Sequence, residues 1–430
     1  QLEPKIISDQ NQTFFENKKI FKEIIKGVKI KNFHGLAIDS RVVKKNNLFL
    51  TIKGKNKDGI NFISQAIKKG AKYIISSKKK KDFSNKTLKV KNEIKFLNNF
   101  AKKKRNFTSA KIVAITGSAG KTSLKDLINN LFQNFGNTFC SPKSYNNHFG
   151  VPLSLSFLNA KHKYGIFEVG MSRAGEINNL TKLIKPHVGI ITNIGEAHIE
   201  NFSNTRGIAD AKGEIINNIE KNGTLILNRD DKYFNYLMKK AVLKNLKIVS
   251  FGMSKKSDVH PVSILKTTKN SKLTIKSKEK LFSFQIRNLN IYNVLASIAL
   301  LTECKLDVNK VLKFFNRYEP TEGRGKIYKI KRYKKYFKLI DESYNANPLS
   351  VKSAITSFNS IKKQNFKKYL LLGDMLELGK KSDELHKDLS KVINNSDIDK
   401  VFIKGVKTLT TYKNIIKKKR GNILHHYEDI

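Results

Sequence analysis

Short apolar runs alternate with amphipathic stretches along the central half of this chain. The runs fall at 112–116, 165–169, 188–192, 224–227 and 247–251, each bounded by polar or glycine-containing turns. Runs of that length predict strands, and the helical spacing of 122–135 and 291–303 predicts helices between and after them. Alternation of this kind predicts an α/β fold with a mostly parallel sheet covered by helices. Ligands in such sheets lie at the carboxyl ends of the strands, so each strand end is a place to look for chemistry.

The flanking regions divide the chain into three blocks. Residues 1–105 open with a polar, poorly patterned stretch, followed by short apolar runs at 36–41, 48–52 and 73–75, which predict a small α/β domain. Lys78 to Lys81 and the lysines at 102–104 read as solvated loops and a linker. The central block spans 106–320. After Pro320, Glu322-Gly-Arg-Gly325 reads as a hinge, and runs at 336–340, 368–372 and 400–403 predict a third, Rossmann-like α/β domain over 321–430. That domain has no G-x-G-x-x-G turn, which disfavours a dehydrogenase.

The first central strand runs into Thr116-Gly-Ser-Ala-Gly-Lys-Thr-Ser123 and then a helix. This is the arrangement of a phosphate cradle. Gly117 and Gly120 let the backbone close around an anion, with Ser118 and Ala119 between them, and the helix mouth and Lys121 supply positive charge. Thr122, with Ser123 beside it, presents a hydroxyl suited to magnesium. Strict phosphate-loop spacing puts a glycine where Ile115 stands, so the form here is the shorter G-x-x-G-K-T. Glu168 ends another apolar strand, where a carboxylate can face the metal recruited by the loop.

The 430 residues carry a formal net charge of +49, which raises the question of nucleic acid. Only ten of the 84 basic residues are arginine, and the lysines are spread through every segment with no aromatic-and-basic repeat. The charge therefore reads as a compositional bias that still draws anionic ligands such as nucleotides, and no nucleic-acid partner is expected. Two cysteines, Cys140 and Cys304, have neither disulfide-framework nor metal-ligand spacing, which fits a reducing, cytoplasmic setting. No apolar run has the length of a bilayer span, so no membrane partner is expected. Gln1 in place of methionine reads as a processed or incomplete N-terminus.

The motifs Thr116–Thr122, Asn146-Asn147, Glu168-Val-Gly, Thr192-Asn-Ile with His198, Ala211-Lys212-Gly-Glu214, Asn290-Ile-Tyr-Asn293 and Gly323-Arg324 stand in one order. In that order they resemble the Mur ligase family, ATP-dependent enzymes that extend the cell-wall peptide on a UDP-sugar carrier. The resemblance covers the central block and hinge. It implies one magnesium ion on Thr122 and Glu168, and a second on His198 and a carbamate formed on Lys212. It also places Asn293 near adenine and Asp341 near the ATP ribose or phosphates, with Arg324 in the nucleotide site. Addition of CO2 to a neutral amine turns a cation that would repel magnesium into an oxygen ligand.

Within the family, Asp341-Glu-Ser-Tyr-Asn-Ala-Asn-Pro348 and Leu372-Gly-Asp-Met-Leu-Glu-Leu-Gly379, followed by His386, resemble the members that add D-alanyl-D-alanine to a UDP-muramoyl tripeptide. The Asp-Asn-Pro-Arg mark of the diamino-acid-adding members does not occur. Asp39-Ser-Arg41 and Asp58-Gly-Ile-Asn-Phe62 resemble a uridine-binding domain, which makes Ser40 and Arg41 candidates for the carrier nucleotide, a plain structural turn being the alternative. Asn146, Asn147, Tyr344, Asn345 and Asn347 are the remaining substrate candidates, the last three carried onto the nucleotide by hinge closure. Family members continue past Tyr427-Glu-Asp-Ile430 with a strand carrying Lys-Gly-Ser, so a truncated third domain is expected, and the family tendency implies a monomer. The alternatives are the diamino-acid-adding ligase, a basic phosphate-loop ATPase on nucleic acid, and an inactive truncated relative that binds nucleotide.

Overall fold

The computed structural model describes residues 3–54, 56–266, 270–287, 289–332, 334–361, 363 and 366–426. The expected chain end at Tyr427–Ile430 lies outside the described residues. Two compact units emerge. The first comprises Gln1–Ala114, Gly136–Val169 and Asn179–Pro186, and the second comprises Ile115–Phe135, Gly170–Asn178 and His187–Ile430.

In the first unit, strands Gly35–Ala37, Asn47–Leu50, Tyr73–Ser76 and Thr87–Lys89 pair in that order, all parallel. The period of two sends Leu48 and Leu50 into one cluster with Phe21, Phe33, Phe96 and Phe100, and Phe49 into another with Ile63, Ala66 and Ile74. Both faces are covered, which is why the strand reads as continuous apolar sequence. The polar opening stretch, expected to be unpatterned, is the helix Glu3–Ile24, which buries Ile20 and Phe21. The run at 36–41 is strand only as far as Ala37. Asp39 then accepts from Arg41 N and caps a 3-10 turn over Ser40–Val42.

The lysines at 102–104 are no linker. They belong to the helix Glu93–Asn106, and Lys104, 1 % exposed, meets Glu16 at 3.1 Å. Burial holds its ammonium below the usual lysine range, with Glu16 opposing. Charge runs are solvated by default, and it took the packing of the first helix to bury this one.

In the second unit, Val188–Ile191, Thr224–Asn228 and Lys247–Phe251 are parallel neighbours. The sheet then continues with Val259–Lys266, which enters parallel and pairs antiparallel with Ser271–Ser277, itself antiparallel to Lys280–Ile286. This antiparallel extension was not legible as a change of sheet type. The helix Ile291–Glu303 is buried along most of its length and covers the sheet. Beyond the hinge, Lys326–Arg332 and Lys335–Asp341 form a separate antiparallel hairpin, so the run at 336–340 does not join the third block's parallel sheet. That sheet is Tyr369–Gly373, Lys400–Lys404 and Arg420–Ile423, with helices Pro348–Asn359, Ser382–Asn394 and Thr408–Asn414. Among the described residues no helix is long and apolar enough to cross a membrane.

Candidate active site

The glycine loop ends the strand Lys111–Thr116 and opens the helix Lys121–Phe132. Gly117 has φ +146°, and a Cβ there would lie 1.9 Å from Thr192 Oγ1, so only glycine fits. Gly120, at φ +80°, forms the helix N-cap with no side-chain cap bond, leaving the helix mouth facing outward from the turn. Lys121 Nζ donates to the Gly117 carbonyl at 2.9 Å, folding the ammonium over the loop.

A second strand end latches this loop. Thr192 Oγ1 donates to the Ala119 carbonyl at 2.6 Å, Asn193 Oδ1 accepts from Ala119 N at 2.8 Å, and Ser118 N donates to the Asn193 carbonyl at 2.9 Å. Ser118 Oγ donates to the Gly195 carbonyl at 3.0 Å and accepts from Gly195 N at 2.8 Å. The N–H groups of Ser118 and Ala119 are therefore spent on the latch. Anion capture falls to the helix mouth and Lys121. The segment Thr192 to Gly195 was legible as a motif, but its role as the loop's scaffold was not, because spacing alone does not reveal which backbone groups are already satisfied.

Other candidates gather around the loop. Asn290 caps the helix Ile291–Glu303, accepting from Tyr292 N and Asn293 N, and Asn293 Oδ1 sits 3.2 Å from where a Gly120 Cβ would be. Lys212 is 1 % exposed on the helix Thr205–Gly213. Among the described residues its ammonium has neither a hydrogen bond nor an ion pair. Burial drives it well below the ordinary lysine range, and the Lys121 charge drives it further. His198 is lowered chiefly by burial, opposed by Glu377, with the Lys212 and Lys121 charges pressing it down again. Lys121, Lys212 and His198 thus share one field.

The third block reaches the same place. Asn347 Nδ2 donates to the Ser118 carbonyl at 3.3 Å, Leu349 packs against Gly195, and Glu377 Oε2 lies 2.5 Å from His198 Nδ1. Asp341 stays at the hinge, where its carboxylate accepts from Gly323 N, Ser343 N and Ser343 Oγ, which hold it below the usual aspartate range. Arg324 stacks over Tyr344 at 4.1 Å, and Asn345 is exposed. These four candidates form a hinge cluster rather than part of the loop.

In the first unit, Glu168, 1 % exposed at the end of Tyr164–Glu168, accepts from Asn146 Nδ2 at 2.7 Å. Asn147 Oδ1 accepts from Phe149 N and Gly150 N and so turns the chain into the helix Gly150–Ser156. Ser40 Oγ donates to Gln65 Oε1 at 2.6 Å, and the exposed Arg41 pairs with Asp39.

Three family models match in order along the chain: the Mur ligase family catalytic domain over residues 32–105, the Mur ligase middle domain over 115–301, and the Mur ligase glutamate ligase domain over 327–430. The chain belongs to the Mur ligase family. A curated relative, UDP-N-acetylmuramoyl-tripeptide–D-alanyl-D-alanine ligase of Rickettsia prowazekii, is 34 % identical over 408 residues, 93 % of this chain and 88 % of the relative. The crystal structure of MurF from Acinetobacter baumannii superposes with a TM-score of 0.83 at 25 % identity, covering 96 % of this chain and 89 % of that one. The MurF ligase of Thermotoga maritima in complex with ADP gives 0.77 at 26 % identity, covering 91 % and 88 %. Family membership makes this an ATP-dependent ligase.

Magnesium, which the family resemblance implies, can be tested against the donors present. No group of three or more His, Cys, Asp or Glu that could cage a metal occurs among the described residues. Magnesium suits such a sparse set, since it keeps waters and takes one or two protein ligands beside substrate phosphates. Burial of Lys212 favours its neutral amine, the form to which CO2 can add.

Proposed function

We propose that the chain joins D-alanyl-D-alanine to a UDP-N-acetylmuramoyl tripeptide in peptidoglycan precursor synthesis. The tripeptide's terminal carboxylate oxygen attacks the γ-phosphorus of ATP, the bond to the β-phosphate oxygen breaks, and ADP leaves. The dipeptide amine then attacks the acyl carbon, loses a proton and expels phosphate, forming the amide.

The assignment of parts follows the three blocks: 1–105 for the UDP carrier with Ser40 and Arg41, 106–320 for ATP, and 321–430 for the incoming dipeptide. Phosphoryl transfer leaves the protein mainly positioning and charge neutralisation. Lys121, anchored on the Gly117 carbonyl, neutralises the transferring group. The turn Gly117 to Ser123 shapes the phosphate site, its anion contacts coming from the helix mouth and Lys121, with Asn293 and Arg324 on the nucleoside side and Asp341 at the hinge from which the nucleotide is covered. Thr122 would offer a hydroxyl oxygen and Glu168 a carboxylate oxygen to magnesium, and His198 an imidazole nitrogen beside the carbamate oxygens of a modified Lys212 to a second ion. Magnesium, when bound, screens the repulsion between carboxylate and triphosphate. Asn146 steers Glu168, Tyr344, Asn345 and Asn347 serve the acceptor, and Asn147 is a further substrate residue.

The observation that carries this reading is Asn347 of the third block resting on the Ser118 carbonyl, because a ligase needs its amine-binding block over the phosphoryl site to exclude water from the acyl phosphate. The test is incubation with ATP, magnesium, UDP-muramoyl tripeptide and D-alanyl-D-alanine, with the UDP-pentapeptide read by mass. Product from a dipeptide carrier and a diamino acid instead would sink this reading in favour of the neighbouring ligase.

A further inference from the structure

The loop Leu372 to Gly379 has no assigned task beyond marking a resemblance, yet it is built with care. It leaves the carboxyl end of the strand Tyr369–Gly373, and its base is fixed in the third block's core. Met375 N donates to His386 Nε2 at 3.1 Å, while His386 Nδ1 donates to the Ser382 carbonyl at 2.7 Å, so one neutral tautomer serves both bonds. Asp374 Oδ1 accepts from Thr408 N at 2.8 Å, and Met375 and Leu378 are buried. Between those anchors Glu377 is thrust outward.

Glu377 has φ +61°, and so does His198, the residue it meets. Each left-handed residue carrying a Cβ is strained where glycine would not be. Two such residues in mutual contact are a place where the side chains, not the backbone, justify the conformation. The Glu377 carbonyl also accepts from Glu200 N at 3.3 Å, which ties the loop tip to the turn that carries His198. Glu377 Oε2 then sits 2.5 Å from His198 Nδ1.

We propose that Glu377 is a positioning residue that fixes the tautomer and orientation of His198. The contact is an ion-pair distance outside hydrogen-bond geometry, and the carboxylate charge beside Nδ1 favours the ring proton on that nitrogen, leaving the Nε2 lone pair as the coordinating atom, an arrangement that ligating histidines use repeatedly. Because Glu377 belongs to the third block and His198 to the central one, the histidine is oriented only while the third block is seated. The metal half of this inference rests on the ligand role given to His198 above; the tautomer half does not.

The experiment is 15N-histidine NMR of the metal-free full chain, paired with Mn2+ binding in the presence of ATP, for wild type, E377A and E377Q. Wild type is expected to show His198 protonated at Nδ1, E377A to lose that pattern, and E377Q to retain part of it. Mn2+ affinity should fall 10- to 100-fold in E377A, with kcat falling in step and the KM for the UDP-tripeptide unmoved. An E377A spectrum and Mn2+ affinity both matching wild type would overturn the proposal. A tautomer that depends on Glu377 in a chain making no pentapeptide would uphold the positioning role and defeat the functional reading alone.

Discussion

Asn347 Nδ2 donates to the Ser118 carbonyl at 3.3 Å across 229 residues of sequence, while its Oδ1 accepts from Ser350 N at 2.9 Å and caps the helix Pro348–Asn359. One side chain thereby starts a helix in the third block and touches the phosphate loop. N347D retains the cap acceptor and loses the donor, so the thermal midpoint should hold while kcat falls about fivefold, the worth of roughly 1 kcal/mol for one hydrogen bond. N347A should lose about 1 kcal/mol of stability as well, from the cap. Paired calorimetry and steady-state kinetics separate the two effects.

In the proposed reaction Lys121, at the mouth of the helix Lys121–Phe132, supplies a fixed positive charge to the transferring group. K121A should cost about 2.7–4 kcal/mol of transition-state stabilisation, which is 10²- to 10³-fold in kcat. Isothermal titration should show a smaller loss in ATP affinity than in turnover, since the charge matters most as the phosphoryl group transfers.

At Gly117 the room for a side chain is already taken by Thr192 Oγ1, 1.9 Å from the position of a Cβ. G117A should therefore abolish nucleotide binding without unfolding the sheet. T192V should loosen the loop by removing its 2.6 Å bond to the Ala119 carbonyl and weaken ATP binding several-fold. Fluorescent-nucleotide titration and circular dichroism would check both, and an unimpaired G117A would refute the loop assignment.

If Lys212 carries a carbamate, activity should depend on CO2. Wild type prepared in CO2-free buffer should lose most of its turnover and regain it with bicarbonate, while K212A stays inactive under both conditions. Labelled bicarbonate should give a bound carbamate 13C signal in wild type only.

Asp341 gives the turn at Gly323 a defined acid response. Its folded pKa lies below the unfolded 3.8 because Ser343 and the Gly323 amide stabilise the carboxylate. Its contribution is therefore present above 3.8 and lost as pH falls through the lower folded value. The Gly323 amide resonance should shift with a midpoint below 3.8 in wild type, and D341N should abolish that titration.

Much of the fold was legible because strand runs and glycine turns are local signals. Ile112 to Thr116 is apolar, the glycines sit where φ must be positive, and Lys121 opens a helix. The opening helix Glu3–Ile24 was not legible, since its mostly polar sequence hides positions, such as Ile20 and Phe21, that pack. Lys104 misled for the converse reason: its burial depends on Glu16, 88 residues away. The run at 336–340 forms a strand, but its partner is set by hairpin register, which a list of apolar runs does not encode.

The sequence by itself determined the phosphate loop, the alternation of strands and helices and the order of motifs, because these rest on φ preference, periodicity and short-range spacing. Only the tertiary structure decided that Asn193 consumes the Ser118 and Ala119 amides while Thr192 takes the Ala119 carbonyl, that Lys212 lies buried without a counter-charge among the described residues, and that Glu377 meets His198. Those facts depend on which distant segments share a small volume, where desolvation and hydrogen-bond competition set the chemistry, and neither can be read from neighbours along the chain.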